Sequence, residues 1–291
     1  MATVAQWISG ARPWTLPAAL APVAAGSGAA AALHGASIVR ATLALSVAVA
    51  LQIGVNYAND YSDGIRGTDD QRVGPFRLTG SGAAPPRAVL TAACVAFAVA
   101  GVAGTVLVAL SHIWWLLAIG GACIPAAWFY TGGRHPYGYR GLGEAFVFTF
   151  FGLVAVLGTT YTQAGRISVA AVCAAIGVGA LACAILVANN LRDIPTDAAV
   201  GKHTLAVRLG DGRSRALYTG LLVVAWLAVL PILRGQAWVA LTFLALPLAI
   251  QPLNTVLRGA TGRALLPVLR STGRLELAYG LLLGLSLSLK G

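Results

Sequence analysis

Charged residues are scarce in this 291-residue chain, and acidic ones are the scarcest. Only 10% of the residues are charged and 58% are hydrophobic, whereas soluble globular domains are about 25% charged. So few charges leave too little polar surface for a protein surrounded by water. The composition therefore excludes an ordinary soluble domain and predicts an integral membrane protein.

Cysteine and targeting signals are also sparse. The four cysteines, Cys94, Cys123, Cys173 and Cys183, lie inside apolar segments without the spacing of a disulfide framework or a zinc site. The N-terminus has no basic region before an apolar run and no small-residue cleavage site, so we expect no signal peptide. No compact basic domain stands apart from the apolar segments, so the net charge of +11 does not indicate nucleic-acid binding.

Long apolar runs are what the chain has instead. Nine segments are long enough to be predicted as membrane spans. They lie near residues 16–33, 38–58, 88–110, 113–131, 145–163, 168–190, 215–233, 237–256 and 275–289.

Charge orients these spans. Of the 20 Lys and Arg residues, all except Arg40, Arg166, Arg234 and Lys290 fall on one side of the spans, as do all nine Asp and Glu residues. The positive-inside rule places that side in the cytoplasm. We predict an all-α protein of the inner (cytoplasmic) membrane, with nine transmembrane helices and a cytoplasmic N-terminus.

Two acidic motifs end apolar spans. The stretch NDYSD at 59–63 closes the second span, and NNLRD at 189–193 closes the sixth, 130 residues later. Spans two and six run in the same direction, so both motifs should meet at the cytoplasmic face. A parallel repeat explains this arrangement, and we interpret the chain as one domain, 1–291, with an internal duplication of roughly 1–131 and 132–291.

Helical spacing puts the polar residues of each motif on one face. Asn56, Asp60 and Asp63 form one such stripe, and Asn189 and Asp193 form another. Pro195 predicts a kink or an end of the sixth helix, with Asp197 reaching the site from a bend.

Clustered carboxylates repel one another unless a cation lies between them. Neighbouring arginines could supply that charge as an ion-pair network. Mg²⁺ is the alternative, because the motifs offer oxygen ligands without His or Cys, and Mg²⁺ commonly binds one or two carboxylates together with phosphates. We favour two facing acidic patches that hold Mg²⁺ and a diphosphate, with basic loop residues of the same face reaching the phosphate oxygens. These residues are Arg72, Arg77, Arg134 and Lys202.

A diphosphate held above apolar spans suits a substrate with a long apolar tail. An allylic prenyl diphosphate fits, and its ionisation gives a carbocation that aromatic faces stabilise. The candidate aromatics are Tyr57, Tyr61, Phe129, Tyr130 and Tyr139.

The motifs resemble those of the UbiA superfamily of intramembrane prenyltransferases. That superfamily has N-D-x-x-D with a further Asp after its second helix, here Asn59, Asp60, Asp63 and Asp69, and D-x-x-x-D after its sixth, here Asp193 and Asp197. The six-residue gap from Asp63 to Asp69 is similar to the 1,4-dihydroxy-2-naphthoate polyprenyltransferases, the MenA type. The stretches RPWTLP at 12–17, RVGPFRLTGSG at 72–82, YRGLGE at 139–144 and NNLRDIPTDAAVGKHTLAVRLG at 189–210 agree with that resemblance.

The resemblance implies nine spans around a central cavity open to the membrane. It also implies transfer of a polyprenyl group from its diphosphate to the naphthoate ring with loss of CO₂, giving demethylmenaquinol for menaquinone biosynthesis. Asp60, Asp63, Asp193 and Asp197 would be the catalytic Mg²⁺ ligands, supported by Asp69. The implied substrate-binding residues are Asn56, Asn59, Arg72, Asn189, Lys202 and Tyr130, with Arg12, Tyr139 and Arg140 as candidates for the acceptor carboxylate.

Alternatives remain from the sequence. Within the superfamily, the acceptor could instead be 4-hydroxybenzoate, haem or homogentisate. A cation-coupled transporter also uses intramembrane acids and broken spans, but would more naturally place its acids near mid-span. A non-catalytic scaffold is the third alternative, and would tolerate loss of Asp60 or Asp193.

Overall fold

The computed structural model describes residues 2–68 and 76–289. Within them all regular structure is helical. The helices are α1 Val4–Ala11, α2 Pro17–Ala32, α3 Ile38–Ile65, α4 Pro86–Ser111, α5 Leu116–Phe129, α6 Gly143–Val147, α7 Gly158–Ala164, α8 Val169–Ala199, α9 Leu205–Leu227, α10 Leu230–Leu233, α11 Leu246–Leu257 and α12 Leu266–Ser288. The all-α prediction is therefore confirmed for the described residues.

Each of the nine predicted spans overlaps a helical segment, but fewer than nine meet the requirements of a span. By length and apolarity, six described segments could cross a bilayer, and a seventh could if α1 and α2, bent by 47°, count as one. The six are Ile38–Ile65, Pro86–Ser111, Gly143–Ala164, Val169–Ala199, Leu205–Leu233 and Ala237–Leu257.

Two of the predicted spans fall short for physical reasons. Helix α5 has only 14 residues, about 21 Å at 1.5 Å per residue, whereas the hydrocarbon core is about 30 Å thick. Helix α12 has 23 residues, but Arg270, Arg274 and Glu276 lie in its first half. The chain is thus an integral membrane protein, although the predicted number of nine spans is not confirmed.

Helix α8 forms the centre of the bundle. In the apolar stretch of α8 that could span the membrane, 67% of the residues are buried inside the protein. In the corresponding stretches of the other five candidate spans, 22–33% are buried. Small residues make close packing possible around it, as they do between α2 and α12, where a Cβ on Gly28 would lie 2.0 Å from the carbonyl oxygen of Gly284. The bundle is therefore built around the helix that carries the second acidic motif.

Two local features differ from ideal helices. Helix α8 continues through Pro195 to Ala199. Of the predicted kink or end at this proline, the end is therefore wrong, and Asp197 lies on the helix itself. Between α6 and α7 the chain forms a ten-residue π-helix, Phe148–Leu157. Segments of this kind are rare and occur often at functional sites.

Candidate active site

The end of α3 holds Asp60 in an unexpected role. Its side chain is fully buried, and its two carboxylate oxygens accept hydrogen bonds from the backbone N–H groups of Leu78 (2.7 Å) and Thr79 (2.8 Å). Both oxygens therefore anchor the chain that returns toward α4. Asp60, predicted as a metal ligand, is not among the residues that line the cavity described below.

Asp63, one turn later, does line that cavity. Its Oδ1 accepts a hydrogen bond from the hydroxyl of Tyr139 at 2.8 Å, and its Oδ2 lies 3.6 Å from a guanidinium nitrogen of Arg77. The carboxylate is thus held between a donor and a cation at the end of the cavity.

The two asparagines of the first motif are fixed by hydrogen bonds to neighbouring helices. The amide nitrogen of Asn56 donates to the carbonyl of Ala11 and to Thr15 Oγ1, both at 2.9 Å. Thr131 Oγ1 donates to Asn59 Oδ1 at 2.7 Å. These hydrogen bonds use the amide nitrogen of Asn56 and the oxygen of Asn59. The oxygen of Asn56 and the amide nitrogen of Asn59 therefore remain available to a ligand in the cavity.

At the end of α8, Asp193 is engaged by the adjacent Arg192. The guanidinium donates to both carboxylate oxygens, at 2.7 and 2.6 Å, and also to Asn189 Oδ1 at 2.9 Å. This bidentate pair is the geometry that arginine forms most strongly with a carboxylate. The arginine network considered in the sequence analysis is therefore present in the structure at this position.

Lys202 connects the two motifs. Its Nζ lies 3.5 Å from Asp197 Oδ1 and 5.1 Å from the centre of the Tyr139 ring. Burial, followed by the charge of Asp63, raises the pKa of the Tyr139 phenol above its ordinary value, so the hydroxyl remains a hydrogen-bond donor. A continuous set of contacts thus runs from Asp63 through Tyr139 and Lys202 to Asp197.

Both helix ends contribute to one cavity of about 570 Å³. Its polar lining includes Arg12, Asn56, Asn59, Asp63, Arg77, Tyr130, Thr131, Tyr137, Asn189, Asn190 and Lys202. The structure therefore brings together side chains that are more than 120 positions apart in the sequence.

The rest of the cavity is long and mostly apolar. Its lining along α3 extends from Asp63 to Ala44, about 28 Å at 1.5 Å per residue, close to the thickness of the hydrocarbon core. Helices α4 and α5 also line the cavity, and a Cβ on Gly101, Gly120 or Gly121 of these helices would meet no atom within 4 Å. A polar mouth thus opens into an apolar channel about as long as the bilayer is thick.

Aromatic side chains line the cavity near its mouth. Tyr130 packs edge-on against Tyr137 with ring centres 5.5 Å apart, and Tyr137 stacks on Phe146 at 3.9 Å. The π-helix adds Phe150 and Phe151 to the lining. The sequence analysis did not name these phenylalanines, because an apolar span gives no signal for which of its aromatics faces a cavity.

The other aromatics predicted to stabilise a carbocation lie outside this lining. Tyr57 donates its hydroxyl to the carbonyl of Trp7, Tyr61 packs on Trp128, and Phe129 is 49% exposed. Of the five named, Tyr130 is the one that lines the cavity, and Tyr139 touches its mouth through Asp63 and Lys202.

The two arginines predicted to bind the acceptor carboxylate occupy different positions relative to the cavity. Arg12 lines the cavity, whereas Arg140 is exposed outside it. The two ends of the short turn Tyr137–Arg140 point differently, with Tyr137 inward and Arg140 outward. Asp69 and Arg72 lie outside the described residues.

The donor set suits Mg²⁺ in its chemistry. Within residues 2–68 and 76–289, no three His, Cys, Asp or Glu side chains are grouped closely enough to hold a metal by themselves. Mg²⁺ does not require such a cage, because it commonly takes one or two carboxylates and completes its shell with water and substrate phosphates. Asp63 and Asp197 are oxygen donors of that kind near the cavity mouth.

The fold and the site together define a class: a helical membrane protein in which two acidic helix ends meet at the mouth of an apolar, bilayer-long cavity. Residues 19–264 match the UbiA prenyltransferase family. The chain belongs to this family.

Two bacterial relatives align over nearly the whole chain. The 1,4-dihydroxy-2-naphthoate octaprenyltransferase of Mycobacterium tuberculosis is 59% identical over 281 residues, which cover 97% of this chain and 96% of that protein. The Escherichia coli protein of the same name is 37% identical over 293 residues, covering 97% and 95%.

Solved structures agree in fold at low sequence identity. A UbiA homologue from Aeropyrum pernix superimposes with a TM-score of 0.71 at 16% identity, covering 92% of this chain and 96% of that one. A homologue from Archaeoglobus fulgidus, solved with GPP and Mg²⁺ bound, gives a TM-score of 0.64 at 14% identity, covering 96% and 99%.

Proposed function

We propose that this protein transfers a polyprenyl group from polyprenyl diphosphate to 1,4-dihydroxy-2-naphthoate, releasing diphosphate and CO₂ and forming demethylmenaquinol. The names of the two relatives support this reaction. The structural observation that carries it is the cavity, whose charged mouth suits a diphosphate and whose apolar length suits a polyprenyl tail.

The residues at the mouth would have different roles in binding and activating the diphosphate. Lys202 and Arg77 are the cations that would bind diphosphate oxygens and stabilise negative charge as the C–O bond breaks. Arg12, which lines the cavity, would bind the acceptor carboxylate. Mg²⁺, held by Asp63 and Asp197, would supply further neutralisation of the leaving diphosphate. Asp60 and Asp193 act through their neighbours, because both of their oxygens hold backbone or arginine groups in place.

The aromatic lining would stabilise the allylic cation once the diphosphate departs. Tyr130, Tyr137 and Phe150 line the cavity, and a ring face attracts a cation within about 6 Å. The apolar walls would keep water from capturing the cation before the acceptor ring does.

The membrane arrangement is part of the same proposal. Nine segments would cross or enter the inner membrane, and the shorter or more charged helices α5 and α12 would lie beside longer neighbours. The N-terminus and the cavity mouth would be on the cytoplasmic side. The duplication of roughly 1–131 and 132–291 belongs to this proposal and rests on one alignment, in which Asn59 and Asp63 correspond to Asn189 and Asp193 at an offset of 130 residues.

Purified protein in nanodiscs tests the reaction. We expect Mg²⁺ and octaprenyl diphosphate to give a prenylated, decarboxylated product from 1,4-dihydroxy-2-naphthoate, identified by its mass. The same assay with 4-hydroxybenzoate and homogentisate measures acceptor choice. Prenylation of one of those acceptors instead of the naphthoate would refute the proposed acceptor, and substrate uptake into proteoliposomes without any covalent product would refute prenyl transfer.

A further inference from the structure

A buried hydrogen bond connects the cavity to a side chain that the reaction described above leaves unused. The amide nitrogen of Asn190 donates to Glu144 Oε1 at 2.9 Å. Asn190 is on α8 and lines the cavity, whereas Glu144 is on α6 behind it and does not. Both residues are more than nine-tenths buried.

This hydrogen bond sets the direction of the Asn190 amide. A carboxylate accepts hydrogen bonds, so only the NH₂ end of the amide can face Glu144. The carbonyl oxygen of Asn190 then points away from Glu144, and it makes no hydrogen bond to any residue in the described parts of the chain. Since the residue lines the cavity, that oxygen is the acceptor it presents there.

Asn56 shows the same arrangement on the other motif. Its amide nitrogen is held by Ala11 and Thr15, which leaves its oxygen as the acceptor toward the same cavity. Each asparagine lies seven residues before an aspartate of its motif, so each is about 10 Å deeper along its helix than Asp63 or Asp197. Two carbonyl oxygens are therefore presented to the cavity at a level below Asp63 and Asp197.

Carbonyl oxygens at that depth suit a hydrogen-bond donor on an otherwise apolar ring. The diphosphate brings oxygens and no N–H donor, and it belongs with the cations at the mouth. The aromatic acceptor of the proposed reaction carries hydroxyl groups, which donate.

We propose that Asn190 binds a hydroxyl group of the aromatic acceptor through its Oδ1, and that Glu144 is the positioning residue that holds this oxygen toward the cavity. The proposal rests on the prenyl transfer proposed above. It assigns Glu144 no proton transfer: one oxygen holds Asn190, and the other is buried without a hydrogen-bond partner in the described chain.

Steady-state kinetics with three variants test this role. E144L removes the acceptor for the Asn190 amide, and we expect its KM for the naphthoate to rise roughly 10-fold, the scale of one lost hydrogen bond. Its KM for prenyl diphosphate and its Mg²⁺ activation midpoint should stay unchanged. E144Q keeps an oxygen at the same place and should restore naphthoate binding, which a proton-transferring Glu144 would not permit.

E276L is the matched control, because it makes the same replacement at a buried glutamate that does not line the cavity. It should leave the naphthoate KM unchanged, and thermal unfolding in detergent reports whether each variant is folded. The double variant E144L/N190L should be no worse in naphthoate KM than N190L alone, because both changes remove one binding unit.

The outcomes separate this proposal from the proposed function. Failure of the wild-type protein to prenylate the naphthoate refutes the function itself. If the wild type is active, a normal naphthoate KM in folded E144L overturns the role of Glu144. The role is also overturned if E144L and E144Q raise the naphthoate KM equally. A rise in the KM for prenyl diphosphate, or in the Mg²⁺ activation midpoint, of E144L would overturn it as well.

Discussion

The hydroxyl of Tyr139 donates a hydrogen bond of 2.8 Å to Asp63, and the same aromatic ring lies 5.1 Å from the Nζ of Lys202. Tyr139 comes from the loop between α5 and α6 and belongs to neither acidic motif. Through it, the carboxylate that ends the first motif is connected to the Lys202–Asp197 pair of the second. The two halves of the site are therefore held against each other by contacts within the chain.

The first prediction separates the hydroxyl of Tyr139 from its ring. Tyr139→Phe removes the hydrogen bond to Asp63 and keeps the ring beneath Lys202, so we expect kcat/KM to fall roughly 10-fold, as for one charge-assisted hydrogen bond. Tyr139→Leu removes both contacts, so its kcat/KM should be lower still. The matched control is Tyr161→Phe, on α7 and outside the cavity lining; equal activities of Tyr139→Phe and this control would contradict the connecting role of Tyr139.

The second prediction distinguishes two aspartates three residues apart. Asp63→Asn keeps the shape of a side chain that lines the cavity, and should lower kcat by about 100-fold or more with little change in unfolding temperature. Asp60→Asn places an NH₂ group against backbone N–H donors and should lower the unfolding free energy by about 1–3 kcal/mol. Thermal unfolding and turnover of the two variants, measured side by side, check this; a destabilised Asp63→Asn beside a fully stable Asp60→Asn would reverse the assignment.

A third prediction concerns the apolar channel. Phenylalanine at Gly121 would extend into open cavity space, and should reduce turnover of long prenyl diphosphates more than that of a short one such as GPP. Gly220→Phe is the control, because Gly220 also has open space around it and does not line the cavity. The ratio of kcat/KM for long and short substrates is the measurement, and an unchanged ratio in Gly121→Phe would place the tail elsewhere.

A fourth prediction concerns Glu276. This carboxyl is fully buried in α12, and neither of its oxygens has a hydrogen-bond partner in the described chain. Burying an unpaired polar group costs about 1–3 kcal/mol, so Glu276→Leu should raise the unfolding temperature by several degrees. Glu276→Gln keeps unpaired polar atoms and should gain less; a lower unfolding temperature for Glu276→Leu would show that the carboxyl has a stabilising partner.

Much of this architecture could be predicted from the sequence because apolar length and charge asymmetry are strong signals. The meeting of Asn56 and Asp63 with Asn189 and Lys202 follows from two motifs that end helices running in the same direction. The number of spans could not be fixed in this way. A 14-residue helix such as α5 is too short for a span, yet a sequence window that includes its flanking loops is apolar enough to count as one.

The direction of individual side chains was beyond the sequence. Asp60 and Asp63 share a helix face, but the chain returning past Leu78 and Thr79 supplies backbone donors that capture Asp60. Helical spacing carries no information about such a distant partner. The pairing of Glu144 with Asn190 is of the same kind, since it joins residues 46 positions apart.

The central claim is that one cavity couples loss of diphosphate to replacement of the carboxyl group on the naphthoate ring. The most direct test is to measure CO₂ from carboxyl-labelled 1,4-dihydroxy-2-naphthoate, diphosphate and prenylated product in one reaction of the purified protein. The account predicts equal amounts of all three, and loss of all three together in Asp63→Asn and Asp197→Asn. Diphosphate release without CO₂, or CO₂ release that does not require the prenyl diphosphate, would contradict it.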